Sequence, residues 1–152
     1  QTKIGIKKLL KAGIHVELRI VVSRLNKDDI HNIAQMISDE LSEVDYVSIM
    51  AMEMTGSARV NQHKVWISYV DAAQVAEDAA LVLIENGIDV KLYNFPLCCI
   101  DERLYSISRK SITDYKVRYK EQCEECDAQD CCGGFFSSTI NIKDITIKPI
   151  KS

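Results

Sequence analysis

Three apolar, β-branched runs alternate with helical runs, and this alternation limits the fold of the chain more than any other feature. The runs are "IHVELRIVVS" (14–23), "DYVSIMAM" (45–52) and "IDVKLYN" (88–94). Each is too short for a buried helix and too continuously apolar for a half-solvated strand. Between the first two lies "NKDDIHNIAQMISDELSE", with Ile30, Ile33, Ala34, Ile37 and Leu41 at helical spacing and Asn26 and Asp29 as cap residues. Between the last two lies "DAAQVAEDAALVLIENG", read as a helix with Asp71 as N-cap, Gln74 completing a capping box and Gly87 as terminator. The opening "TKIGIKKLLKAG" reads as the end of a helix stopped by Gly13. Alternating helices and buried strands imply an α/β fold with a parallel sheet and right-handed crossovers.

Three parallel strands are too few for a complete sheet, and the chain opens on a helix already under way without an initiator Met. The expectation is the C-terminal part of a larger barrel, divided into residues 1–95 as its last three strand/helix units and 96–152 as a loop-rich extension. An exposed barrel edge then favours self-association. After Pro96 the strand rhythm stops. Ser111 and Asp114 can cap a helix to about Gln122, and "STINIKDITIKPIKS" alternates loosely enough for a short edge strand.

The net charge of −3 and pI near 5.6 offer no basic face for nucleic acid. No apolar run reaches the ~18 residues of a membrane span. The opening residues lack a signal-peptide pattern, so the six cysteines point to a reducing, cytoplasmic setting. Clustered thiols there bind metal or catalyse more often than they pair.

Four of those cysteines fall within "EQCEECDAQDCCGGFFSS" (121–138). Cys123 and Cys126 form C-x-x-C, which points two thiolates at one site. Cys132 follows after five residues, directly before Gly133-Gly134, which allow a tight turn and bring amide N–H groups towards sulfur. A fourth ligand would come from Cys98 or Cys99, giving an expected set of Cys98, Cys123, Cys126 and Cys132, with Cys131 ambiguous. A sulfur donor set suits a structural zinc or an iron–sulfur cluster equally. A thioredoxin-type pair fits poorly, because that C-x-x-C opens a helix and this one follows the expected helix.

"VELRIVVSRLN", "IMAMEMTGSA", "YNFPLC" and the C-x-x-C-x5-C-G-G-F-F phrase together resemble the C-terminal half of a radical S-adenosylmethionine (SAM) enzyme. The nearest likeness is to the maturase family of His-Xaa-Ser peptide-modification systems, and it runs over nearly the whole chain. The resemblance implies a partial (β/α)6 barrel, a ribosomally made peptide as substrate, and an auxiliary 4Fe-4S cluster on the cysteine extension. It also implies that the N-terminal half of the barrel, with the SAM-cleaving cluster, lies elsewhere. This chain contains no C-x-x-x-C-x-x-C, so alone it cannot hold that cluster. The rival from the residues alone is a non-catalytic, zinc-stapled α/β interaction domain.

Two residues stand out as SAM or substrate contacts. Arg19 lies in an apolar strand, and the resemblance places its guanidinium on the SAM carboxylate; the bland reading pairs it with Glu17. Glu53 follows the second strand, at the C-terminal mouth where parallel barrels gather functional groups. Arg24 and Asn26 share that mouth. Met50, Met52 and Met54 read as core, His15, His31 and His63 as surface, and the basic run Arg109–Lys120 as a solvated face or a dock for an acidic peptide.

Overall fold

The computed structural model describes residues 1–142 and 145–151. Its order is α1 (Thr2–Lys11), β1 (Glu17–Val22), α2 (Ile30–Glu40), β2 (Tyr46–Ala51), α3 (Gly56–Val60), α4 (Gln62–Val65), α5 (Tyr69–Glu85) and β3 (Val90–Tyr93). Two 3-10 segments, Leu97–Cys99 and Glu102–Ile107, lead to β4 (Ser108–Arg109). Then come β5 (Val117–Arg118), a 3-10 turn at Glu121–Glu125, and β6 (Phe135–Phe136).

The fold is mixed α/β around a four-stranded sheet of order β1-β2-β3-β4, parallel throughout. The three apolar runs supply β1, β2 and β3. The short β4 is an addition that the sequence does not announce, because two residues carry no periodicity. In-register alternation sorts the strands into two faces. Ile20, Val22, Val47, Ile49, Ala51, Val90 and Leu92 are buried in the core with α2 and α5. The opposite face carries Glu17, Arg19 and Val21 of β1, Tyr46, Ser48 and Met50 of β2, and Lys91 and Tyr93 of β3. Arg19 and Val21 are exposed there, and the Lys91 ammonium lies 3.5 Å from the Tyr46 ring centroid.

Helix α5 reaches the sheet through a stripe of small residues: Ala72, Ala73, Ala76, Ala79 and Ala80 are all 2% exposed or less. At i, i+3, i+4 spacing they form one face, and their lack of bulk lets the helix lie close to α2, β2 and β3. Both glycine stops close helices in Schellman geometry. Gly13, at φ 71°, donates to Leu10 O while Ile14 donates to Leu9 O. Gly87, at φ 76°, donates to Ile84 O while Ile88 donates to Leu83 O.

Three local expectations are corrected. Helix α5 begins earlier than Asp71, capped by Ser68, whose Oγ accepts from the Asp71 N–H at 3.1 Å and donates to the Asp71 carboxylate at 2.8 Å. The earlier start carries Tyr69 into the core at 3% exposure. The helix expected over residues 111–122 does not form. Its Ile112, Thr113, Tyr115, Val117 and Tyr119 are β-branched or aromatic, and β5 pairs antiparallel with β6 instead. In the tail no strand forms among the described residues; Lys143 and Asp144 lie outside them.

The segment after Pro96 joins the same core. Ile100, Leu104, Cys123, Phe135 and Ile145 belong to the one buried cluster. Phe135 meets Tyr69 edge-on at 5.4 Å, and Tyr69 meets Trp66 the same way at 5.8 Å. Replacing Ala79 by Leu forces extra methylenes between α5 and its neighbours. We expect a loss of about 1–3 kcal/mol in urea unfolding, whereas Leu81→Ala, on the solvent side of α5, costs much less.

Candidate functional site

Residues from three separate stretches meet beyond Pro96. The 3-10 turn after β3 brings Cys98, the Glu121–Glu125 turn brings Cys123 and Cys126, and the loop before β6 brings Cys132. All four line one apolar-walled cavity, shared with Leu97, Tyr119, Phe135 and the tail residues Ile147 to Ile150. Cys99 and Cys131 do not line it. Cys99 packs against the core, and the exposed Cys131 thiol donates to Ala128 O at 3.3 Å. One turn thus directs Cys98 into the cavity and Cys99 out of it.

The cavity sulfurs are acceptors. Cys132 Sγ takes N–H bonds from Leu97 and Gly134, each at 3.4 Å, and Cys126 Sγ takes one from Ile150 at 3.4 Å. Cys98 is held down to about 7 by the hydrogen bond from the Cys99 thiol, with further help from the Lys148 backbone N–H. The same bond pushes Cys99 well up. Burial raises Cys123 and Cys132, and the charge of Cys98 raises both further. Backbone donors therefore favour thiolates while the apolar wall and mutual repulsion oppose them, a conflict that bound cationic metal removes.

As they stand, no three or more His, Cys, Asp or Glu side chains among the described residues are grouped to hold a metal ion. The four thiols ring a cavity; they do not converge on one point. Thiolates sharing one zinc lie roughly 3.8 Å apart, from the Zn–S length and tetrahedral geometry. A cubane spreads its ligands over four iron corners.

Gly134 is fixed by its surroundings. Its φ is 67°, and an added Cβ would stand 2.7 Å from Val117 Cγ2 and 3.1 Å from Arg118 O. Its N–H then reaches Cys132, as the Gly-Gly pair implies. The Tyr119 hydroxyl donates to Cys132 O at 3.0 Å and pins the same turn. Sequence reading missed Tyr119 and the Ile150 donor; an aromatic and a backbone amide carry no motif.

The other expected site residues do not gather here. Arg19 makes a two-point ion pair with Glu17, at 2.9 and 3.0 Å, on the exposed sheet face. Glu17 also accepts from Ser48 Oγ at 2.6 Å, and these partners, Arg19 foremost, hold its carboxyl down to about 2. Glu53, beyond β2, pairs with Lys116 at 3.2 Å. Asn26 accepts from the Ser23 N–H and hydroxyl, and Arg24 donates to His63 O. Near Glu53, Asn94 adopts φ 65°, donates to Ala51 O and accepts from Ser111. The basic run is spent largely on backbone carbonyls: Arg109 on Ser106 and Ser108, Lys110 on Asp130, Arg118 on Tyr115 and Val117.

Comparison with protein-family models, curated proteins and solved structures returned no match.

The two glycines separate in a substitution test. Gly134→Ala meets both a positive φ and a backbone clash, so it should cost about 2 kcal/mol in denaturant unfolding. Gly133→Ala, whose Cβ would meet nothing closer than 3.8 Å, should stay within about 0.5 kcal/mol.

Proposed function

We propose that this chain is the C-terminal part of a radical SAM enzyme that modifies a ribosomally made peptide, and that Cys98, Cys123, Cys126 and Cys132 hold an auxiliary 4Fe-4S cluster. The observation that carries this reading is the sorting of six cysteines into four that line one cavity and two that do not. Spacing singled out Cys123, Cys126 and Cys132 and left the fourth open between Cys98 and Cys99. When bound, the cluster supplies a one-electron redox centre in a site with little access to water. The chain's own residues orient the sulfurs, supply N–H donors and wall off solvent.

The parallel sheet supports the same reading. Parallel strands are normally covered on both faces, and here the face bearing Arg19, Ser48, Lys91 and Tyr93 is polar and accessible at β1. That is the character of a barrel's inner wall facing a polar cosubstrate. Arg19 would exchange Glu17 for the SAM carboxylate, a swap its planar, two-point geometry allows. Glu53 would act at the strand C-termini, held in place by Lys116. The other barrel strands would pair with the free edge of β1. Without them, and without C-x-x-x-C-x-x-C, this chain alone should leave SAM uncleaved.

The deciding measurement is metal content after anaerobic iron–sulfide reconstitution. The expected outcome is about four irons and four sulfides per chain with broad visible absorption, lost in Cys126→Ala and retained in Cys131→Ala. One tightly held zinc without iron uptake would overturn the cluster and leave a zinc-stapled interaction domain. The barrel reading has its own check. Light scattering on the isolated chain should show dimers or larger species through the β1 edge, and a clean monomer at high concentration counts against it.

A further inference from the structure

The tail crosses the thiol cavity in a way that no metal motif accounts for. Ile145 is anchored in the core at 9% exposure, and Ile147, Lys148, Pro149 and Ile150 form one wall of the cavity. The Ile150 N–H donates to Cys126 Sγ at 3.4 Å, so the tail bonds directly to a sulfur that the Glu121–Glu125 turn presents. The segment is latched at its far end as well: Asp127 N–H donates to Ile150 O at 2.9 Å, and the Lys151 ammonium donates to Glu125 O.

We propose that Ile145–Lys151 is a closing strap for the thiol site, which positions Cys126 through the Ile150 amide and, as one wall of the cavity, keeps water from the sulfurs. Its metal consequence rests on the cluster reading above; its effect on the thiols does not. N–H bonds to sulfur and exclusion of solvent are the levers by which a protein sets a cluster's potential and its lifetime in air. Ile150 is therefore a positioning residue, acting through backbone rather than side chain.

Ile150→Pro deletes one N–H and keeps the carbonyl that Asp127 uses, while Ile150→Val keeps both. In the metal-free chain, iodoacetamide labelling read by peptide mass spectrometry should show Cys126 reacting severalfold faster in Ile150→Pro and unchanged in Ile150→Val. The exposed Cys131 should serve as a constant reference in both. After reconstitution, Ile150→Pro should bleach faster in air and show a more negative midpoint potential. Equal labelling of Cys126 in wild type and Ile150→Pro would overturn the strap. Should Ile150→Pro fail to fold by circular dichroism, Ile145→Ala, which loosens the anchor without touching a sulfur, must give the same labelling contrast or the strap falls. A wild-type chain that shows the contrast but takes up no iron upholds the strap and overturns the cluster.

Discussion

Phe135 is the residue through which the two parts of this molecule depend on each other. It is 1% exposed, stacked edge-on against Tyr69 of α5, paired across the hairpin with Arg118, and part of the cavity wall. Burying an aromatic ring of this size is worth on the order of 2–3 kcal/mol, and the edge-on contact adds to it. That is large beside anything the short 3-10 turns around it can contribute. The cysteine-bearing turns are too irregular to hold themselves, so their geometry is borrowed from the sheet and α5 through this ring. Tyr69 in turn is available only because Ser68, not Asp71, caps α5.

The thiol cavity is a balance of opposed terms. An apolar wall disfavours charge on Cys123 and Cys132, and each thiolate disfavours its neighbours. Backbone amides from Leu97 and Gly134 favour charge on Cys132, and the Ile150 amide bonds to Cys126 Sγ. A purely structural core would have no use for N–H donors aimed at sulfur, and a purely reactive thiol would sit in the open, as Cys131 does. The combination is the one the proposed cluster would need, with several sulfurs that gain from a positively charged partner.

Much of the fold was legible because its signals are local. The β-branched runs, the i, i+3, i+4 spacing in α2 and α5, and the glycine stops at Gly13 and Gly87 each draw on neighbours within a few residues. The errors came where a distant partner decides. Ser111 and Asp114 are sound caps, but Val117 and Arg118 are claimed by Phe136 and Phe135, and no window around residue 117 contains that information. The start of α5 was ambiguous by nature, since Ser68-x-x-Asp71 and Asp71-x-x-Gln74 both resemble a cap. Burial of Tyr69 decides between them. In the site, spacing picked out Cys123, Cys126 and Cys132, whereas the direction of Cys98 against Cys99 depends on how one 3-10 turn is rotated. The strap was invisible because it works through a main-chain amide, which every residue but proline carries.

The polar groups divide between two places, and the division follows from the topology. Parallel strands put all their C-terminal ends on one side, so Glu53, Asn94 and, through its salt bridge, Lys116 collect there. The chain leaving β3 at that end must turn immediately, and the turn it makes is the one that carries Cys98. The thiol site therefore lies beside the mouth of the sheet as a direct consequence of where β3 stops. Lys116 lies one residue before β5, whose partner β6 follows Cys132, and its ammonium reaches Glu53 at 3.2 Å. One ion pair thus ties the strand mouth to the turns that carry the thiols. Arg19 and Glu17 sit deeper, within β1 on the exposed face, where Ser48 backs their two-point pair and the Arg19 guanidinium is already satisfied by a carboxylate.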